Sequence, residues 1–293
     1  MKNKVGIVSC DKWINKIKED LFLQKELLNN GIDSQIISWE DQSVDYSEFK
    51  CLILRSVWGY QNNYIQFREW LLYLKDNDIA IYNDVDMIMN NIRKDKQFEI
   101  LDRNSIPHIP TSIIRNLNDL TILYESDGSK VIKPLISGSG QNTYLIDSNN
   151  RSILKEDNGF REMLSSIIAQ KENGIILQPY ISEISNGEYA CIFIDGINTH
   201  NMLRFPGIFS EKKSPIYIEG VPENVKKLAH SVSMIPEFSN YLYMRVDIVV
   251  SNNEPKIMEV ELAEPDLLIK YISDENIQKQ AIKTFAKKIE RRI

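Results

Sequence analysis

Tyr243-Met244-Arg245-Val246-Asp247-Ile248-Val249-Val250 and Lys256-Ile257-Met258-Glu259-Val260-Glu261-Leu262 decide how this chain of 293 residues is read. Both stretches are apolar and rich in β-branched residues, and Ser251-Asn252-Asn253-Glu254-Pro255 between them is turn-like. They therefore read as two strands of a hairpin. Alternate residues of a strand face one way, so Glu259 and Glu261 project together, and in a hairpin Asp247 joins them. Three carboxylates converging from apolar strands repel one another and are costly to bury without a cation. Oxygen-only ligands of this kind suit Mg2+, with Mn2+ as an alternative ion, and Mg2+ usually travels with a nucleotide phosphate. The competing reading of the same spacing is the solvent face of an amphipathic hairpin.

Upstream, Ser137-Gly138-Ser139-Gly140 lies between two predicted strands, Lys130 to Pro134 and Gln141 to Ile146, shortly after Lys133. Glycines let backbone amides approach phosphate oxygens, serines add hydroxyl donors, and Lys133 supplies positive charge. A Walker loop would place its lysine at the end of the loop and open a helix. Here both flanking elements are strands, so the expected geometry is a flap folding down over phosphates. Taken alone, the run also suits an ordinary hairpin tip.

The first ninety or so residues alternate strand and helix. Strands are predicted at Val5 to Cys10, Ser34 to Trp39, Cys51 to Ser56 and Ile79 to Asn83, with helices at Lys16 to Asn30 and Tyr64 to Asp76. Such alternation implies right-handed βαβ units on a parallel sheet. No Gly-x-Gly-x-x-Gly follows the first strand, so a dinucleotide role is unsupported. Ligands sit at strand ends in such sheets, which makes Arg55, Ser56, Trp58 and Tyr60 candidate substrate contacts. After a helix near Lys94 to Arg103, two prolines in Ile106-Pro107-His108-Ile109-Pro110 mark a boundary. Further strands are expected at Ile175 to Ile181, Glu188 to Asp195 and Asn198 to Arg204. Helices are expected near Gly159 to Lys171, Pro222 to Met234 and Glu275 to Arg292.

The formal charge of −6 argues against nucleic acid as principal partner. No apolar run approaches the roughly 20 residues that span a bilayer, so no membrane role and a cytoplasmic location are expected. Cys10, Cys51 and Cys191 are odd in number and embedded in apolar strands, fitting buried thiols better than a disulfide framework. His108, His200 and His230 are not at metal-ligand spacing, which disfavours zinc hydrolysis and serine-type catalysis.

Read in order, these elements resemble the ATP-grasp superfamily of carboxylate–amine ligases, over essentially the whole chain. The resemblance implies a mixed α/β (α+β) protein: an ATP-grasp fold preceded by a Rossmann-like α/β lobe. The expected division is 1–91 for that front lobe, 92–180 for the small lobe with its phosphate flap, and 181–293 for the large lobe with the magnesium site. Lys94 and Lys133, in Val-Ile-Lys-Pro, look like the two family lysines that contact nucleotide phosphates, with Ser137, Gly138, Ser139 and Gly140 as the flap. Gln178, Pro179, Tyr180 and Ile181 match the interlobe strand that holds adenine. Glu188 falls where members place an acid near the ribose, and Arg204 where they place a basic residue near the transferring phosphate or acyl substrate. Asp247, Glu259 and Glu261 match the magnesium ligands, although many members end that triad with asparagine.

A closer similarity is to the branch of glutathione-synthetase-like proteins that includes the cyclo-ligase of D-cycloserine biosynthesis. Arg55-Ser56-Val57-Trp58-Gly59-Tyr60 looks like its Arg-Ser-x-Trp-Asp-Tyr, with Gly59 in place of the aspartate. Glu259-Val260-Glu261-Leu262-Ala263-Glu264-Pro265 looks like its Glu-x-Glu-Leu-x-Glu-Pro. The resemblance implies ATP and two Mg2+ ions as cofactors and small carboxylate and amine substrates, with amide formation through an acyl phosphate. Arg204, Lys133 and Arg55 are its expected catalytic residues, Arg55 holding the anionic group of the acyl substrate. Family members are often dimers or tetramers, so a homo-oligomer is compatible with it. Two other readings use the same Mg-ATP site: a nucleotide-binding module without turnover, and a phosphotransferase.

Overall fold

Apolar runs buried on both faces build the front of the molecule. The computed structural model describes residues 4–121, 127–138, 140–169, 174–207 and 213–293. Strand β1 (Lys4–Ser9) leads into helix α1 (Lys18–Asn29), then β2 (Asp33–Ser38), β3 (Phe49–Ser56), helix α2 (Tyr64–Asp76) and the short β4 (Ile81–Tyr82). These strands form a parallel sheet in the order β2-β1-β3-β4. Val5, Ile7, Val8, Leu52, Ile53 and Leu54 are all fully buried, as expected where helices cover both faces.

Helices α3 (Val85–Asn91) and α4 (Lys94–Arg103) carry the chain to an antiparallel sheet. That sheet is built from β5 (Ser112–Ile114), β6 (Lys130–Pro134), β7 (Tyr144–Ile146) and β8 (Ile175–Pro179), in the order β5-β8-β6-β7. Helices α5 (Arg151–Glu156) and α6 (Asn158–Ala169) lie between β7 and β8, and α6 buries Phe160, Leu164 and Ile167 beneath the sheet. This sheet has its own small core, containing Ile132, Ile146 and Ile175.

A second antiparallel sheet follows, ordered β11-β10-β9-β12-β13. Its members are β9 (Glu188–Ile194), β10 (Ile197–Phe205), β11 (Lys213–Ile218), β12 (Tyr243–Ser251) and β13 (Glu254–Glu261). Helix α7 (Glu223–Ser233) precedes β12, and α8 (Glu275–Glu290) closes the chain. The front sheet and this last sheet share their cores: Val5, Ile7 and Leu23 cluster with Ile192, Tyr243 and Phe285.

The predicted elements are present, with ends that move by up to three residues: β3, β10 and β12 run longer than expected, and others shorter. The strand expected from Gln141 starts only at Tyr144, because Gln141 and Asn142 complete a turn in which Asn142 has φ 52°. Strand β11, the helix α3 and the helix α5 went unread; β11 carries Pro215 at the sheet edge, where a missing N–H is tolerated. Lys171, the expected end of α6, lies outside the described residues. All three cysteines are buried and unpaired. Among the described residues no helix is long and apolar enough to cross a membrane.

Candidate active site

The predicted hairpin forms, and its register sets the acids. Asp247 on β12 faces Glu259 on β13, and Arg245 faces Glu261. A bulge adjoins this pair, since Ile248 faces Ile257 and Met258 has no partner of its own, re-aiming the strand beside the acids. One carboxylate oxygen from each of Asp247, Glu259 and Glu261 lies within 4.8 Å of the others.

Strand β13 is a sheet edge: the backbone of Pro107 and Ile109 pairs with its Ile257, and side-chain amides take over beyond. Gln97 Oε1 accepts from the Val260 N–H at 3.0 Å, and Gln97 Nε2 donates to Val260 O at 2.6 Å. Asn91 accepts from Leu262 N–H at 2.8 Å and donates to Val260 O at 2.7 Å. Buried backbone groups need such partners, and these fix the peptide between Glu259 and Glu261.

Cations answer the acids. Lys94 Nζ donates to Glu259 at 2.7 Å. Arg245 donates to Asp247 Oδ1 at 2.9 Å and to Glu261 Oε1 at 2.5 Å. Arg204 bridges Asp247 and Glu188, the latter at 2.9 Å. Burial works against the charge of Glu259, but Lys94 and Lys133 outweigh it and hold the pKa down at about 2. Burial pushes Glu261 up to about 8; Arg245 opposes this, while Glu259 and Asp247 add repulsion. Glu188 is likewise pushed up to about 7 by burial, against Arg204. The ligand atoms are all carboxylate oxygens crowded into one site, a set that fits a hard divalent cation such as Mg2+.

These residues floor a cleft of about 450 Å3 that also receives Lys133, Ser137, Gly138 and Gly140. Lys94 Nζ donates to Ser137 O at 3.3 Å, tying the flap base to the acids. Ser139 lies outside the described residues. A narrower, largely apolar slot adjoins the cleft, lined by Gln178, Pro179, Tyr180, Ile181, Val131 and Met258, and Lys133 lines both. Glu188 lines the polar cleft and meets Arg204, so its place is beside Asp247.

Arg55 is not brought to the cleft. Only 3% exposed, its guanidinium lies 3.5 Å from Glu19 and 3.6 Å from Asp20, over the rings of Tyr243 and Phe285. Ser56 is equally internal, donating to Asp20 Oδ2 at 2.5 Å. Both point inward because α1 presents its first-turn acids to the end of β3. Trp58 and Tyr60, beyond the strand end, do line the cleft. Gly59 between them has φ 110°, a conformation that side-chain-bearing residues rarely adopt.

The loop after β13 carries an arrangement that sequence reading missed. Four successive carbonyls there are each taken by a different side chain. Trp58 Nε1 donates to Glu264 O at 3.0 Å, Arg55 to Pro265 O at 3.2 Å, Arg245 to Asp266 O at 3.0 Å, and His200 Nε2 lies 2.7 Å from Leu267 O. Glu264 and Asp266 thereby stand on a pinned loop facing the cleft. Arg245 was legible, two residues before Asp247 on one strand and so on the same face.

A family model described as the ATP-grasp domain of prokaryotic glutathione synthetase matches residues 99–265, more than half of the chain. This chain belongs to that ATP-grasp family. It is an ATP-grasp ligase, and the stretch matched contains Lys133, the flap and all three acids. Residues 5–83 match the N-terminal domain of D-cycloserine synthetase DcsG. The cycloserine biosynthesis protein DcsG of Streptomyces lavendulae is 21% identical over 268 residues, 83% of this chain and 85% of that protein. The crystal structure of D-cycloserine synthetase DcsG has a TM-score of 0.83 at 18% identity, covering 99% of both chains. The ATP-grasp ligase PsnB, complexed with minimal precursor, Mg and ADP, has a TM-score of 0.61 at 12% identity, covering 97% of this chain and 98% of its own. The ATP-grasp fold behind an α/β front lobe is therefore established.

Proposed function

We propose that this ligase joins a small carboxylate substrate to an amine through an acyl phosphate, releasing ADP and phosphate. The observation that carries the reading is the convergence of Asp247, Glu259 and Glu261 beneath Lys94, Lys133 and the flap, beside an apolar slot of suitable lining for a purine. The Mg-bound state of PsnB supports it.

In this reading the apolar slot takes adenine between Pro179, Tyr180 and Ile181 on one side and Val131 and Met258 on the other. Lys133, at the junction of slot and cleft, and Lys94, at the flap base, bind phosphate oxygens. Asp247, Glu259 and Glu261 would hold two Mg2+ ions, which supply charge neutralisation for the phosphates when bound. The substrate carboxylate attacks the γ-phosphorus as its bond to the ADP oxygen breaks, and Arg204 stabilises charge on the transferring group. The amine then forms the C–N bond as phosphate leaves the acyl carbon. Ser137, Gly138 and Gly140 exclude water from the acyl phosphate, which would otherwise hydrolyse. Arg245, between Asp247 and Glu261, orients the acids. Arg55 acts at one remove, through the Pro265 carbonyl.

The test has two steps. A non-hydrolysable ATP analogue with Mg2+, at about a hundred times Kd, should stabilise the wild type by about 2.7 kcal/mol in thermal unfolding, and Glu259→Ala should lose that shift. A panel of small carboxylates is then incubated with ATP and hydroxylamine. A hydroxamate formed in step with ADP supports acyl-phosphate ligation. ADP with a stable phosphorylated product and no hydroxamate would move the protein to the phosphotransferases, and nucleotide binding with no turnover of any acid to the silent binding modules.

A further inference from the structure

Gln97 and Asn91 hold the edge of the last sheet at the point where it carries acids. Both are buried, at 2% and 6% exposure, at the corner between α3 and α4. Gln97 Oε1 accepts from the Val260 N–H at 3.0 Å, and Asn91 Oδ1 accepts from the Leu262 N–H at 2.8 Å. Their amide nitrogens converge on one acceptor, Val260 O, at 2.6 and 2.7 Å. Gln97 Nε2 also lies 3.4 Å from Asn91 O, which ties the two amides into one unit. Among the described residues, every hydrogen bond these two side chains make runs to backbone.

The consequence falls on Glu259 and Glu261. The Val260 N–H belongs to the planar peptide that follows Glu259, and the Val260 carbonyl to the one that precedes Glu261. With both planes held from outside, the directions in which the two acids leave the strand are set. That restraint matters, because these carboxylates and Asp247 each bring an oxygen within 4.8 Å of the others. Like charges so close push apart, and an edge strand has no further strand to resist them. The same corner carries Lys94, whose backbone N–H donates to Leu135 O at 3.0 Å and whose Nζ reaches Glu259 at 2.7 Å. One piece of the fold therefore places both the acids and their cation. An edge that needed only protection is commonly given a lysine or a proline. Here two buried amides are devoted to the peptides between two acids.

We propose that Asn91 and Gln97 are positioning residues for the divalent-ion centre: they hold Glu259 and Glu261 at the spacing an ion requires, without touching the ion themselves. The proposal rests on the ligase reading and deepens it. Metal–oxygen distances tolerate only about 0.2 Å of error, so a small rotation of either peptide lowers affinity. Groups that orient metal ligands from behind typically contribute about 10–100-fold to metal affinity.

In the test, Mn2+ is titrated into the full chain at a fixed ADP concentration, and free Mn2+ is read from its EPR signal. Each variant is measured at a temperature where circular dichroism shows it fully folded. Gln97→Met keeps the length and packing of the side chain but cannot bond the Val260 peptides, and should raise the Mn2+ Kd about tenfold. Asn91→Leu leaves both Gln97 bonds to Val260 in place and should raise it about threefold, the value of one modest hydrogen bond. Leu71→Ala, a truncation on the buried face of α2, is the control: it lowers stability and should leave the Kd unchanged. A Gln97→Met Kd equal to that of the wild type would reduce the amides to cover for the edge and overturn the proposal. An equal rise in Leu71→Ala would trace the effect to lost stability and overturn it too. No bound Mn2+ in the wild type would sink the ligase reading itself. Should Gln97→Met fail to fold, Asn91→Leu decides, an unchanged Kd rejecting the positioning role.

Discussion

Glu259 and Arg55 are both charged residues on strands that end near the cleft, yet their surroundings divide the molecule. The Glu259 side chain is 35% exposed and meets one flexible cation, Lys94, whose partner can change when a nucleotide enters. Arg55 is 3% exposed, sits against two acids and two rings, and donates to a backbone carbonyl. The first arrangement neutralises acids in a way a ligand can replace. The second consumes its charge internally. The lesson is that an arginine at the end of a parallel strand reads as a ligand contact only until the neighbouring helix is known, and here α1 brings Glu19 and Asp20 to meet it.

The largest effect should come from breaking the internal side of that comparison. Arg55→Ala leaves Glu19 and Asp20 buried with only the charge of Lys270 to answer them, and burial together with Asp266 already pushes Glu19 up to about 7. Removing one partner of a buried ion pair costs about 3–5 kcal/mol. The midpoint of denaturant unfolding should fall accordingly. Wild-type stability combined with a raised KM for the carboxylate would restore Arg55 to the substrate site and remove it from the fold.

A comparable but pH-gated effect is expected at His200, which anchors the same loop. Its ring is buried, with Nδ1 2.9 Å from Thr199 Oγ1 and Nε2 2.7 Å from Leu267 O, so the neutral tautomer with hydrogen on Nε2 fits best. Burial lowers its pKa to about 4, the Leu267 carbonyl opposing this only in part. The unfolded chain therefore binds a proton that the folded chain resists. The His200 contribution is complete above pH 6.5 and is lost as pH falls through 6.5 towards 4, by about 3 kcal/mol at most. Acids with raised pKa, Glu188 and Glu261 among them, act in the opposite direction, so the measurement is the difference between wild type and His200→Gln across pH 7 to 4. A constant difference would show that His200 does not titrate with folding.

Much of the fold and of the acidic cluster was legible because it rests on local periodicity. Asp247, Glu259 and Glu261 follow from alternation along two strands joined by a short turn, and the parallel front sheet from its apolar runs. What escaped depends on contacts between distant residues. Nothing in Asn91 or Gln97 announces that their amides complete the edge of β13 across more than 160 residues of sequence. Glu264 stood in a motif without a place, because its loop is pinned by Trp58, Arg55, Arg245 and His200, all distant in sequence or in fold. Arg55 was placed at the right strand end and given the wrong neighbours, since the orientation of α1 is a matter of packing.

The smallest expected effect tests whether the two regions communicate through the flap. Gln61 Oε1 accepts from the Gly59 N–H at 3.2 Å, and Gln61 Nε2 donates to Gln141 Oε1 at 3.1 Å, so one side chain joins the Trp58–Tyr60 loop to the flap. A β-carbon on Gly138 would sit only 3.6 Å from the same amide. The bond to Gln141 is exposed and the one to Gly59 half-buried, so Gln61→Ala should change stability by no more than about 1 kcal/mol. If the contact holds the flap down over the acyl phosphate, its loss should let water compete with the amine. ADP release without coupled product should then rise about two- to tenfold, the range for one lost hydrogen bond of about 0.5–1.5 kcal/mol. Gln141→Ala should give the same rise, and the double variant no more than either alone, because both single changes remove the same bond. Additive effects, or coupling that stays at the wild-type ratio, would mean that the flap closes without help from the front lobe, and that the two walls of the cleft act independently.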